Sequence, residues 1–482
     1  MIDLKSISAF LLLTVAGWSI LLAPGTATAQ SQVFIERADR AEGAIINGQN
    51  VRKLLNNVVL RTDDMRMEAD SAYQFIDQNL IHAFNIQIET ENEMIWADTL
   101  FHNTATDVSR FRGRVIIESE TNILFSQQMD LFSPIDLAVF DVPVRFEDED
   151  GILIAEQGFY FQDVDSAGFR GNVQLADETQ YLEADSLFMN RSIGLYELFG
   201  RVYGEDFEDN TVFTGNYLFA DSTGYRLLRG DSSWLMEVSE SEADTTHLLA
   251  REIEIIDTDT TSTLDAFQNV RIWSNRFAAV ADSATFYEHL EITELRSNPI
   301  LWRRNIQLTG PFIEATFDGE ELTFLRSFER PIVVQEDSAT GRLHQMTGDT
   351  LHAFFEDDEL LRMTVFKNSE VIFFLKDEDD QPDGVIELIA AGASTLFFYD
   401  GEFDRFKADE NAEGTFLEEG PEVPNRRLEN FQWDPERKPD RPRIQTPRLP
   451  AIPEEAPFPL PPRYVEYVRL RELSLETGSN NQ

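Results

Sequence analysis

The chain contains no cysteine, so disulfides, thiolate metal sites and cysteine nucleophiles are excluded, and the fold is held by burial and hydrogen bonding alone. Beyond Ala29 it has no apolar run long enough to cross a bilayer as a helix. The segment before that point reads as an export signal. Lys5 precedes a mostly apolar run over 7–23, and Ala27-Thr28-Ala29 supplies the small residues a signal peptidase requires, which places cleavage near Ala29/Gln30. An uncleaved anchor is the competing reading, because the run over 7–23 lies at the lower limit of length for spanning. Basic residues are scarce, 40 against 87 acidic ones, for a formal charge of −47. A surface of that sign repels phosphate backbones and argues against nucleic acid as a partner. It also keeps a chain with 37 phenylalanines apart from its own copies. There is no glycine-rich phosphate loop, no paired-histidine zinc motif and no Gly-x-Ser-x-Gly elbow. The six histidines are scattered, and the acidic runs Glu147-Asp148-Glu149-Asp150 and Asp377-Glu378-Asp379-Asp380 lack the spacing of a 12-residue calcium loop. No catalytic residue, metal site or cofactor is expected.

What the chain does have is a repeat. One pattern sets a small or turn-forming residue ahead of alternating apolar positions, as in Asn57-Val58-Val59-Leu60, Asn85-Ile86-Gln87-Ile88, Gly113-Arg114-Val115-Ile116-Ile117 and Gly171-Asn172-Val173-Gln174-Leu175. It recurs at Gly200 and Asn269 and, more loosely, at Gly230, Asn298 and Asn368. A second pattern, Ala-Asp-Ser or a near relative, alternates with it at Ala69-Asp70-Ser71, Ala97-Asp98-Thr99, Ala184-Asp185-Ser186, Ala281-Asp282-Ser283 and Gly348-Asp349-Thr350. The unit is about 29 residues, with a degenerate copy near Val142-Pro143-Val144 and polar insertions over 237–247 and 335–345.

Inside a unit the apolar residues alternate with period two, which indicates strands. Asn47-Gly48, Asp150-Gly151, Asp318-Gly319, Asp383-Gly384 and Asp400-Gly401 suit tight hairpins. Two strands and their connections fill one unit, so each repeat is an antiparallel β-hairpin. One hairpin alone leaves half its apolar face and both edges bare. Stacked hairpins pair those edges and extend the apolar face along the array. The fold class is therefore all-β, an elongated solenoid of stacked hairpins. Parity selects the inward residues: Val58, Leu60, Met67 and Ala69, then Ile86, Ile88, Ile95 and Ala97, then Val115, Ile117, Val173, Leu175, Leu182 and Ala184.

These two patterns, alternating in register after a signal peptide, resemble the OstA-like periplasmic family of lipopolysaccharide transport over about 30–420. The resemblance implies a folded-over sheet of the β-taco or β-jelly-roll kind, a periplasmic location and a role in outer-membrane biogenesis. It implies that the fourteen inward residues bind lipid A acyl chains of lipopolysaccharide. It also implies partners from the same transport system at either end through sheet-edge pairing, and end-to-end self-assembly. A structural or adhesive exported solenoid with a filled interior is the alternative, and periodicity alone does not separate the two. A polysaccharide-cleaving parallel β-helix is disfavoured by the length of the repeat and by the lack of a carboxylate cluster.

The pattern breaks over 421–463, where 12 prolines, 8 basic and 7 acidic residues give a nearly neutral segment. Such a stretch prefers extended polyproline-type or disordered conformations and is expected to be a largely disordered tail. Arg426, Arg427, Arg437, Lys438, Arg441 and Arg443 suit either a docking strip for an acidic partner or a tether lying on the chain's own acidic sheet. The last stretch, 464–482, contains a candidate short helix over Tyr464 to Leu475. The organisation expected is thus 1–29 signal, 30–420 repeat array, 421–463 linker and 464–482 terminal segment.

Overall fold

The computed structural model describes residues 33–479 apart from 63–64, 149–150, 162–163, 209, 239–244, 259, 320, 358 and 400–401. The signal segment and the Asp400-Gly401 turn lie outside the described residues. Among those described there are 34 β-strands and one α-helix, Pro462–Ser479, and no helix long and apolar enough to cross a membrane. Every strand pairing has the antiparallel sense that short hairpin connections impose. The described chain divides into two compact units, one of Glu205–Thr446 and the other of the residues before Glu205 together with those from Pro447 onward.

The repeat anchors are where the backbone turns left-handed. Asn57, Asn85, Gly113, Gly171, Gly200, Asn269, Asn298 and Asn368 all have φ between 45° and 86°, a region open to glycine and tolerated by asparagine. The strand pairing slips at several of these points, as between Leu55 and Val58, Arg112 and Val115, and Arg170 and Val173, whereas the register runs unchanged past Asn85. Each slip is a β-bulge, which bends its strand. Gly230 adjoins such a slip without a positive φ. The second pattern locks the first. Asp70 accepts from the Asn85 side-chain amide at 2.9 Å, Asp98 from the Arg114 backbone N–H at 3.2 Å, Asp185 from Arg201 Nε at 2.9 Å and Asp349 from the Asn368 amide at 3.1 Å. In these four copies the two motifs alternate because the aspartate holds the left-handed anchor, or the residue beside it, 15 to 19 residues on.

In the unit that contains residues 33–204 the left-handed anchors and bulges divide the long strands into two arms, and both arms carry an apolar ladder. One runs Leu54–Ala72–Ala83–Leu100–Phe111–Met129. The other lies beyond the bulges and contains the residues expected from parity. Both are almost fully buried. A sheet face is removed from water to this degree only when a second layer covers it.

Two of the turn expectations resolve differently. Asn47-Gly48 makes the two-residue hairpin, with φ of 53° and 80° and Ile46 paired to Gln49. Asp383-Gly384 does not turn: both residues lie inside the strand Pro382–Ala390, and Gly384 pairs with Leu375. Glycine is required there because a Cβ would run into the Leu417 carbonyl of the next strand. The chain reverses instead over 377–381, where Asp377 accepts from the backbone N–H groups of Asp379 and Gln381.

The proline-rich segment has no strand, in keeping with its composition, but it does not hang free. Residues 423–434 lie on the sheet of the unit Glu205–Thr446, and residues 448–467 lie on the sheet of the other unit. In both cases they occupy the face opposite the apolar ladders. The terminal helix begins at Pro462, two residues before the expected start.

Candidate functional site

The candidate surface is the pair of ladders that the fourteen expected residues form. Cross-strand pairing strings seven of them into one row, Leu60–Met67–Ile88–Ile95–Ile117–Leu124–Phe146–Leu153–Leu175–Leu182, ten strands long. The other seven lie two residues nearer the bulges, in the pairs Val58–Ala69, Ile86–Ala97 and Val173–Ala184 and in the run Val115–Ser126–Val144–Ala155. A small residue faces a branched one at each step, so neighbouring side chains interlock. All fourteen are buried except Leu175, which is half-buried.

Leu124, Phe146, Leu153, Ser126, Val144 and Ala155 complete these rows although the repeat patterns did not select them. Their signal was weak: Val144 belongs to the degenerate unit, which the strand Val144–Asp148 and the strand Ile152–Ala155 build. The unit Glu205–Thr446 carries its own row, Phe213–Leu235–Leu248–Ile272–Ala279–Leu301–Leu308–Val333–Met346–Val371–Leu388.

One edge of the first row is polar. Thr62, Thr90, Ser119, Asp148 and Asp177 follow two residues after row members, and each accepts a hydrogen bond from the backbone N–H three residues on, at 2.9 to 3.2 Å. These turns recur at intervals of 28 or 29 residues from Thr62 to Asp177, a second record of the period written in Ser, Thr and Asp. Glu93 stands in this edge on the same side of its strand as Ile95. Burial pushes its carboxyl up to about 8, and Oε1 has no hydrogen-bond partner, so the group is held largely protonated at neutral pH. No cluster of metal-ligating side chains occurs among the described residues.

Apart from Ser126, the side chains of these rows are aliphatic or aromatic. The inner rows are also closed, because Ile86, Ala97, Ile117 and Leu124 expose 1% or less of their surface.

No curated protein matches this chain. Among solved structures it is similar to LptH of Pseudomonas aeruginosa, described as the LptA homologous periplasmic component of the conserved lipopolysaccharide transport device. The match has 15% identity and a TM-score of 0.20, and it covers 23% of this chain and 76% of that one. The model of the OstA-like protein family matches residues 30–222, the region whose bulges, locking aspartates and apolar rows are described above. Over residues 30–222 the chain is similar to the OstA-like protein family.

Proposed function

We propose that this chain is a non-enzymatic periplasmic carrier of lipopolysaccharide that shelters acyl chains between the two apolar arms of its sheet. The observation that carries the reading is the ten-strand apolar row inside the OstA-like region. An acyl chain crossing water costs about 0.8 kcal/mol for each exposed CH₂, and an uninterrupted aliphatic row offsets that cost at every step. The fourteen parity residues are the lining in this reading, with Leu124, Phe146 and Leu153 added. Partners at either end join by strand pairing to an open sheet edge.

The near-zero exposure of the inner rows favours a second reading, an exported structural solenoid whose interior is filled by its own side chains. Photocrosslinking groups placed at Ile88, Val115 and Val173 in living cells separate the two. The carrier reading requires adducts with lipopolysaccharide at those three positions and none at Gln87 or Gln174, which lie on the opposite face. Equal labelling on both faces, or none on either, leaves the structural solenoid.

A further inference from the structure

The face opposite the apolar rows holds a peptide, and the way it is held says what else fits. In the unit that contains residues 33–204, cross-strand pairing forms the row Glu68–Gln87–Trp96–Ile116–Phe125–Arg145–Ile154–Gln174–Glu183. Residues 448–467 cross these strands in order. Glu183 accepts the backbone N–H groups of Arg448 and Leu449 at 2.7 and 2.9 Å. Gln174 donates to the Pro450 carbonyl at 2.8 Å, and Arg145 donates to the carbonyls of Pro453 and Glu454 at 2.6 and 3.0 Å. All three of these side chains are at least 96% buried. Farther on, Phe458 stacks on Phe125, Tyr464 and Tyr467 pack on Trp96, and Arg463 pairs with Glu68 and Asp70.

The geometry fits an extended peptide. Nine strands separate Glu183 from Glu68 inclusive, about 38 Å at the usual 4.7–4.9 Å spacing, while the chain from Arg448 to Arg463 spans about 46 Å at the polyproline rise. The polar contacts on Gln174, Glu183 and Arg145 go to the peptide's main chain, and proline removes the N–H groups that such a face would leave unpaired. Side-chain selection rests on the arginines and aromatics, and charge agrees, since the basic groups meet Glu68, Asp70, Glu183 and Asp185.

We propose that this face is a docking groove for an extended, proline-rich peptide, and that a second copy of the chain fills it in trans with the same 447–467 segment. Three observations point to a second copy. Every contact named for 448–467 is made with residues 68–185, independent of the anchors of 423–434. The intervening stretch 435–446 is mostly exposed and touches its own sheet chiefly through Arg441, at Thr245 and over the Trp273 ring. It spans about 34 Å when extended, which gives the segment reach. A vacated groove leaves Trp96, Ile116 and Phe125 bare, and a segment of identical sequence restores every contact, so exchange sacrifices only the freedom lost on association.

The absence of natural cysteines makes the test direct. Ile123 and Ala456 both pack against the Trp96–Ile116–Phe125 cluster. Full-length Ile123→Cys and full-length Ala456→Cys are mixed, incubated at rising concentration and oxidised, with the double variant run alongside. Exchange predicts a two-chain crosslinked species that grows with concentration and is suppressed by an excess of synthetic peptide 447–467, and closure within one chain for the dilute double variant. A mixture that never crosslinks while the double variant closes restricts the groove to its own tail and overturns the proposal. A crosslink that the peptide does not suppress overturns it too, as does a double variant that fails to close.

Discussion

At the scale of single residues, the repeat is a record of backbone conformation more than of chemistry. Asn57, Asn85 and Gly113 recur because the backbone there takes φ between 45° and 86°, and Asp70 and Asp98 recur because each accepts a hydrogen bond from the next anchor or its neighbour. The spacing was legible in the sequence, but the partnership was not, since donor and acceptor sit on different strands 15 or 16 residues apart. Glu93 gave no sequence signal of its own, and its raised pKa follows from burial beside Ile95. An acid whose folded pKa lies above its unfolded value favours the folded state while protonated. Its penalty is absent below about pH 4.5, grows as pH rises and is complete above about pH 8. Glu93→Gln is expected to raise stability at pH 9 by an amount on the order of a few kcal/mol and to change it little at pH 4. Urea midpoints at the two pH values measure this, and an equal shift at both would show that the carboxyl is not protonated by the fold.

At the scale of strands, parity placed all fourteen expected residues on one face, because a period of two leaves a half-buried strand no other solution. Parity could not tell that the row would continue through Leu124, Phe146 and Leu153, where the repeat is degenerate. Leu124 is 1% exposed in the middle of the row, so Leu124→Ala is expected to cost about 2 to 5 kcal/mol. Ile193, at a hairpin tip and 58% exposed, is expected to tolerate alanine within about 0.5 kcal/mol. Chemical denaturation of the two variants checks the contrast, and similar losses at both sites would mean that the row is not the core. Asp383-Gly384 shows where strand-level reading stops. The dipeptide reads as a turn, yet its glycine answers to the approach of a neighbouring strand.

At the scale of the molecule, the charge of the C-terminal segment suited a tether on the chain's own acidic sheet, but which strands it crosses was not legible in the sequence. In the unit Glu205–Thr446 the amide of Gln345 donates to the Arg426 carbonyl and accepts the Leu428 N–H, at 3.1 and 2.8 Å, and Gln307 does the same for Gln432 and Asp434, at 3.1 and 2.9 Å. Gln345→Ala leaves both main-chain groups of the tail without these partners and is expected to cost about 1 to 3 kcal/mol. Hydrogen exchange should quicken at Leu428 before it does in the underlying strands, and unchanged protection there would show that the segment is held by other means. The sequence by itself determined the strands, their period and the face each side chain takes, because these follow from torsions and neighbours a few residues apart. Only the tertiary structure decided that both apolar ladders are buried and that the opposite face is occupied by the proline-rich segment. Those outcomes depend on pairing between residues as many as 395 positions apart, and a nearly neutral, proline-rich stretch has no periodicity of its own with which to announce where it will lie.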